Sequence, residues 1–312
     1  MRIAFLGSPD FAVPTLEALA SAHEVVGVVT QPDRPAGRGR VLTPPPVKAA
    51  AHRLGLPVLQ PPRLRAPEAT AELARWAPDL IVVAAYGQIL RPDVLALPRH
   101  GCLNVHASLL PRWRGASPVP AAIRAGDRVT GVTIMQMDAG MDTGGILAQA
   151  SLAIGPLDTA ASLTAQLAPL GASLLLNSLE AYVRGYLKPA AQDESQATAA
   201  PLLKKDDGRL DFTLSARELE RQVRAFDPWP GTFLEWEGRR LSVLGAEADE
   251  TGNLPVGVVT RQGGFPVVGT AQGQLVLRRV QPAGRQPVSG DAFLRGTPAF
   301  AKARLISGAS AS

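Results

Sequence analysis

Ile3-Ala4-Phe5-Leu6-Gly7 is a short apolar run closed by glycine, and a helical stretch, Pro14 to Ala22, follows it. The pattern recurs. Val25–Thr30, Leu80–Ala85 and Cys102–Ser108 are similar runs, with helical patterns around 46–54, 66–76 and 118–125. Strands that are apolar throughout and alternate with helices predict a largely parallel sheet covered on both faces, because crossover helices bury each side. Further runs at Gly131–Met137 and Ile146–Ile154 precede a long helix across Thr159–Arg184. The first domain is therefore expected to be a doubly wound α/β unit, with ligands at the carboxyl ends of its strands.

Beyond this unit the pattern changes. Residues 189–205 carry little periodicity and are expected to be a linker between a domain at 1–188 and another at 206–312. After a helix near Ser215–Ala225, short glycine-divided runs at 233–236, 240–246, 256–260, 265–270 and 274–281 predict a small OB-like β-barrel. At 312 residues, with 46% hydrophobic and 19% charged residues, the chain can bury two ordinary cores. The one cysteine, Cys102, suits a reducing compartment. No apolar run has membrane-span length, and Asp10 lies too close to Met1 for a secretory leader, so a cytoplasmic protein is expected.

The net charge of +5 is unevenly spread. Arg34, Arg38, Arg40, Lys48, Arg53, Arg63 and Arg65 face only Asp33 between 31 and 65. Arg261, Arg278, Arg279, Arg285, Arg295, Lys302 and Arg304 face only Asp291 beyond 251. Such segments suit a polyanion, since several cations on one surface release its counterions; an ordinary basic surface has the same composition.

In Cys102-Leu103-Asn104-Val105-His106-Ala107-Ser108 the strand period puts Asn104, His106 and Ser108 on one face. Three polar groups on a strand of a buried sheet mark either a site at the strand's end or a set that satisfies a loop. The stretch Gln136-Met137-Asp138-Ala139-Gly140-Met141-Asp142-Thr143-Gly144-Gly145 places two carboxylates on a glycine-shaped loop, a pattern also common in turns without function. The histidines, at 23, 52, 100 and 106, have no metal-ligand spacing, so no metal is expected. Gly7-Ser8-Pro9-Asp10-Phe11 lacks the G-x-G-x-x-G of nicotinamide enzymes. Parity puts Cys102 on the Asn104 face, so position alone leaves a cysteine nucleophile open.

Gly101-Cys-Leu-Asn-Val-His-Ala-Ser-Leu-Leu-Pro-Arg-Trp-Arg-Gly115 and Thr130-Gly-Val-Thr-Ile-Met-Gln-Met-Asp-Ala-Gly-Met-Asp-Thr-Gly144 resemble the formyltetrahydrofolate-dependent formyltransferases. Gln31-Pro-Asp-Arg-Pro-Ala-Gly-Arg-Gly39 and Arg224-Ala-Phe-Asp-Pro-Trp-Pro-Gly231 resemble the branch that acts on methionyl initiator tRNA, and the likeness covers nearly the whole chain. The resemblance implies a one-carbon transferase of translation initiation that acts as a monomer. Its donor would be 10-formyltetrahydrofolate, and no enzyme nucleophile would be needed. Asn104, His106 and Asp142 match the family's catalytic residues. Folate is expected along Tyr86, Gly87, Gln88, Ile89 and Leu90, along Ser108, Leu109, Leu110 and Pro111, and at Met137 and Asp138. Gln88 stands where a hydrophobic residue is usual. Arg34, Arg38 and Arg40 on the surface loop 33–46, with Arg112 and Arg114, are expected to meet tRNA. Two rivals share parts of this pattern: formyl transfer to a small amine such as glycinamide ribonucleotide or an amino sugar nucleotide, and RNA binding without catalysis. A small acceptor would have no use for the arginine-rich loop, and a mere RNA binder none for Asn104, His106 and Asp142.

Overall fold

A computed structural model of the chain describes residues 1–36, 39 and 41–305 and divides it into two compact units. The first comprises Met1–Pro118, Arg128–Ala153 and Leu163–Pro201; the second comprises Val119–Asp127, Ile154–Ser162 and the residues from Leu202 onward.

In chain order the first part runs β1 (Arg2–Gly7), α1 (Val13–Ala22), β2 (Glu24–Val29), β3 (Arg34–Ala36), β4 (Val41–Thr43), α2 (Pro46–Arg53), β5 (Val58–Leu59), α3 (Pro67–Arg75), β6 (Leu80–Ala84), α4 (Pro92–Leu95), β7 (Cys102–His106), α5 (Pro118–Ala125), β8 (Val129–Gln136), β9 (Ile146–Ala153) and α6 (Ala160–Val183). The sheet order is β5-β2-β1-β6-β7-β8-β9. Pairing is parallel from β5 to β7 and antiparallel at β7/β8 and β8/β9. β6 is buried along its whole length, the signature of a strand covered on both faces, whereas β9 at the edge alternates half-buried and exposed residues after Leu147. α6 lies close over the sheet: a Cβ at Gly171 would sit 2.7 Å from Val105 Cγ1. Leu6, Val29, Leu73, Ile81, Val83, Leu90 and Cys102 belong to one buried cluster.

Two stretches differ from the sequence expectation. The loop 33–46 contains a hairpin, with Arg34 paired to Thr43 and Pro35 to Leu42. Its foot is tied down where Asp33 receives Lys48 Nζ (2.7 Å) and Gln60 Nε2 (2.7 Å). Together these partners hold the Asp33 carboxyl below its usual range, the Gln60 bond first. Residues 189–201, expected as linker, belong to the first unit: Ala190 bridges Ile146 and Ala199 bridges Arg114.

The second unit contains α7 (Ala216–Ala225), β10 (Thr232–Trp236), β11 (Arg239–Asp249), β12 (Val259–Gln262), β13 (Phe265–Gly269), β14 (Gln274–Pro282), β15 (Val288–Ser289) and α8 (Gly290–Gly296). Its strands form one six-stranded antiparallel sheet, β10-β11-β14-β13-β12, with β15 beside β14. α7 starts at a capping box in which Ser215 Oγ accepts the Glu218 N–H while Glu218 Oε2 accepts the Ser215 N–H, satisfying donors the first turn leaves open. Phe212, Leu219, Val243, Leu275, Leu277 and Phe300 are among its buried core residues. No helix among the described residues is long and apolar enough to cross a membrane.

Phe300 is fully buried and stands edge-on to Trp236 (5.2 Å) and Phe293 (5.3 Å). Its truncation leaves a cavity that neither ring can fill. Phe300→Ala is expected to destabilise the second unit by about 3–5 kcal/mol, read as an earlier urea transition of Trp236 fluorescence; an unshifted transition would contradict this packing.

Candidate active site

β7 delivers two polar side chains to the carboxyl end of the sheet. Asn104, opposite Val83 of β6 and Met135 of β8, is half-buried, and His106, two residues on, is 6% exposed. The chain then turns through Ser108–Trp113, and buried polar groups hold that turn. Thr133 Oγ1 donates to the Ser108 carbonyl (2.7 Å) while accepting from the Leu110 N–H (3.1 Å) and Gln149 Nε2 (2.9 Å). Ser108 Oγ donates to the Arg112 carbonyl at 2.6 Å. The turn carries the Trp113 carbonyl back to His106 Nε2 at 2.9 Å. A carbonyl only accepts, so Nε2 bears the proton and Nδ1 is the nitrogen left for chemistry.

Nδ1 lies 3.6 Å from Asp142 Oδ2. The other carboxylate oxygen receives Asn104 Nδ2 at 3.4 Å, and the Gly115 N–H donates to Oδ2 at 2.8 Å. Asp142 has φ 54° and Trp113 φ 62°, a region L-residues occupy at a cost unless their surroundings hold them there. The loop bearing Asp142 is closed at its base, where the Gln136 N–H bonds to the Gly145 carbonyl (2.8 Å). A Cβ at Gly144 would lie 1.8 Å from the Gln136 carbonyl oxygen, so only glycine permits that closure. Asp138 shapes the same loop, accepting from Gly140 N–H (3.0 Å) and Thr143 Oγ1 (2.7 Å).

The structure thus brings Asn104, His106 and Asp142 together from two strand-end segments. The residues expected to contact folate divide. Tyr86 and Leu90 are in the core, and the Tyr86 hydroxyl, pushed up to about 12 by burial, has no hydrogen-bond partner among the described residues. Gly87 and Ile89 are exposed, Ile89 by 75%. Gln88 Oε1 accepts the Leu64 N–H at 2.8 Å, which ties this loop to the 61–66 segment. Gln31 Nε2 donates to the Tyr86 carbonyl (3.2 Å), and a cavity of about 480 Å³ opens beside Gln31, Arg34, Pro44, Tyr86 and Gly87. Leu110 is buried, Leu109 and Pro111 are half-buried, the Ser108 hydroxyl is committed to the turn, and the Met137 N–H bonds to the Cys102 carbonyl.

The arginines divide too. Arg34 is exposed on β3, Arg38 and Arg40 lie outside the described residues, and Arg112 is exposed over the Trp113 ring (4.8 Å). Arg114, expected at a phosphate, is instead 12% exposed: it donates to Gln192 Oε1 through Nε (3.0 Å) and Nη2 (2.8 Å) and to both Glu194 oxygens (2.8 Å each). That carboxylate raises the guanidinium's pKa and has its own lowered in return. Thr133, Gln149 and Gln192 escaped the sequence reading. Thr133 and Gln149 look like ordinary strand residues, and Gln192 sits in a stretch with no pattern.

Cys102 is 1% exposed, and burial pushes its thiol up to about 12, so it is un-ionised at neutral pH. The folded chain should resist iodoacetamide at pH 8 that labels the unfolded chain fully, and Cys102→Ala should retain transfer. Rapid labelling of the folded chain would show a reactive thiol.

Two family models match the chain: formyl transferase over residues 1–179, and formyl transferase, C-terminal domain, over 202–298. The methionyl-tRNA formyltransferase of Chloroflexus aurantiacus is 54% identical over 304 residues, 96% of this chain and 98% of its own. That of Myxococcus xanthus is 50% identical over 296 residues, 95% of each. Among solved structures, the sugar 3N-formyl transferase WlaRD, determined in the presence of dTDP and 5-N-formyl-THF, superposes with a TM-score of 0.67 at 15% identity, covering 92% of this chain and 99% of its own. By its sequence and by both of its units, the chain belongs to the formyl transferase family.

Proposed function

We propose that this enzyme transfers the formyl group of 10-formyltetrahydrofolate directly to the α-amino group of methionyl initiator tRNA, with Asn104, His106 and Asp142 as catalytic residues. The observation that carries the reading is the convergence of these three side chains, Asp142 standing 3.4 Å from Asn104 Nδ2 and 3.6 Å from His106 Nδ1. The acceptor is argued from the half-identical relatives that bear that activity's name and from the arginine-rich loop.

The amine nitrogen bonds to the formyl carbon while the carbonyl π electrons move onto oxygen. Collapse then breaks the bond to the folate nitrogen, which must take up a proton as the amine loses one. Asn104 has a second amide N–H to give the oxyanion, and a protonated His106 offers Nδ1–H to the same charge or to the leaving nitrogen. Asp142 takes the amine's proton, directly or through water. Catalysis is assigned to the first unit. Around the site, the exposed faces of Gly87 and Ile89 and the neighbouring cavity would receive the folate ring. Arg34, Arg38, Arg40 and Arg112 would meet tRNA phosphates. The basic stretch beyond 251 would add contacts that position the tRNA without reading its sequence.

The test is transfer from 10-formyltetrahydrofolate to methionyl initiator tRNA, with glycinamide ribonucleotide as a parallel acceptor. Transfer to the tRNA alone is expected; transfer only to the small amine would keep the chemistry and remove the tRNA. Asn104→Ala and His106→Ala should each lose about 10²–10³ in rate, the usual cost of one oxyanion donor, and near-normal turnover in either would defeat its assignment. Arg38→Ala should raise KM for tRNA while leaving KM for folate unchanged, and an equal rise in both would count against a tRNA-reading loop.

A further inference from the structure

We propose that Gln192 is a positioning residue for formyl transfer: its side-chain amide holds the Asp142 backbone in the left-handed conformation that turns the carboxylate towards His106 and Asn104. The inference rests on the reading of Asp142 as catalytic and adds a residue that lies outside the stretches 101–115 and 130–144.

Two carbonyls of the catalytic loop, those of Asp142 and Gly144, converge on Gln192 Nε2 at 2.8 and 2.7 Å. Brought to one point without donors, they would repel each other and leave two acceptors, one in half-buried Asp142 and one in buried Gly144, unpaired. A primary amide answers both from one atom, since it carries two N–H groups. Its oxygen is occupied as well, receiving Arg114 Nε and Nη2 (3.0 and 2.8 Å). Every donor of the Gln192 amide is thereby used, and the planar guanidinium fixes the amide's rotation. Arg114 is anchored in turn by the two Glu194 oxygens and by its own backbone, which bonds to Thr198 and Ala200 (2.9 and 2.7 Å).

The segment that carries Gln192 is pinned at both ends. Ala190 exchanges two 2.8 Å hydrogen bonds with Ile146 at the start of β9, and residues 198–200 pair with Arg114. Asp142 is therefore held from two sides by sequence neighbours: Gly115 donates directly to its carboxylate, and Arg114 reaches its carbonyl through Gln192. An unfavourable φ at Asp142 needs such support, because the loop contributes only its own turn bonds against relaxation.

Gln192→Glu keeps the acceptor for Arg114 but sets an oxygen against two carbonyl oxygens; Gln192→Met keeps the length and removes the hydrogen bonds. With the full-length protein, each variant should lower kcat about tenfold or more while KM for folate and for tRNA stays within about threefold, the pattern of an interaction realised in the transition state. Hydrogen exchange over residues 139–145 should quicken in both. In an Asp142→Ala background the same substitutions should change kcat less than about twofold, because a residue acting through Asp142 has nothing left to act on. The proposal is overturned if kcat stays near parental, if exchange in the loop is unchanged, or if the full loss reappears on top of Asp142→Ala. Near-normal turnover of Asp142→Ala by itself would instead remove the catalytic reading of Asp142, and the inference with it, whatever the exchange of the loop shows.

Discussion

The hydrogen bond from His106 Nε2 to the Trp113 carbonyl is the constraint on which the site depends. It settles which nitrogen faces Asp142, and it exists only because the chain doubles back within seven residues of the end of β7. That reversal cannot be held by apolar packing alone, since the turn exposes carbonyls and N–H groups inside the unit. Thr133, fully buried on β8 and opposite His106 in register, meets the need with one hydroxyl that serves three partners. Antiparallel pairing of β7 with β8 is what places it there. The mixed character of the sheet is thus part of how the site is built: a parallel neighbour would have entered through a crossover and set a different register beside His106.

Asp142 shows how a strained residue is kept. Its positive φ is tolerated because the Gly115 N–H, the Asn104 amide and the Gln192 amide all bond to it, and because Gly144 lets the loop close against Gln136. Each is a directional bond of about 1 kcal/mol net, and stronger where the carboxylate accepts. Several together outweigh a backbone cost of order 1–3 kcal/mol. The carboxylate is consequently aimed at Asn104 and His106 by the fold itself.

The central strands and the long helices were legible because each is an uninterrupted apolar run or a 3.6-residue stripe, as in Leu80–Ala84 and Ala160–Val183. The polar face of Cys102–His106 stands out against that background, so period alone singles out Asn104 and His106 as candidates, while the roles given to them and to Asp142 rest on the family resemblance. What escaped was whatever is held by polar bonds instead of burial. The β3–β4 hairpin has three residues per strand and exposes Val41 and Leu42, so it leaves no alternation to read. Residues 189–201 look like a linker because their attachment runs through Gln192, Glu194 and the backbone of Ala190 and Ala200, none of which leaves an apolar period. The reversal between β8 and β9 was readable in principle: residues 137–145 are too few for a crossover, which needs a dozen or more.

The arginines mark where charge counts stop being informative. Thirty-two basic residues against twenty-seven acidic ones describe the whole surface, yet the fork of Arg114 points inward and the side chain of Arg112 lies over a ring. These two stand one residue apart in Arg112-Trp113-Arg114, and composition treats them alike. What separates them is the left-handed backbone at Trp113, which sends the carbonyl between them to His106 and sets the Arg114 backbone to pair with the 198–200 segment. A guanidinium with a carboxylate and an amide already seated on its donors has little left to offer a phosphate. Its charge then serves to fix another side chain, and the basic excess available for a polyanion has to be counted from exposed, uncommitted side chains rather than from the sequence.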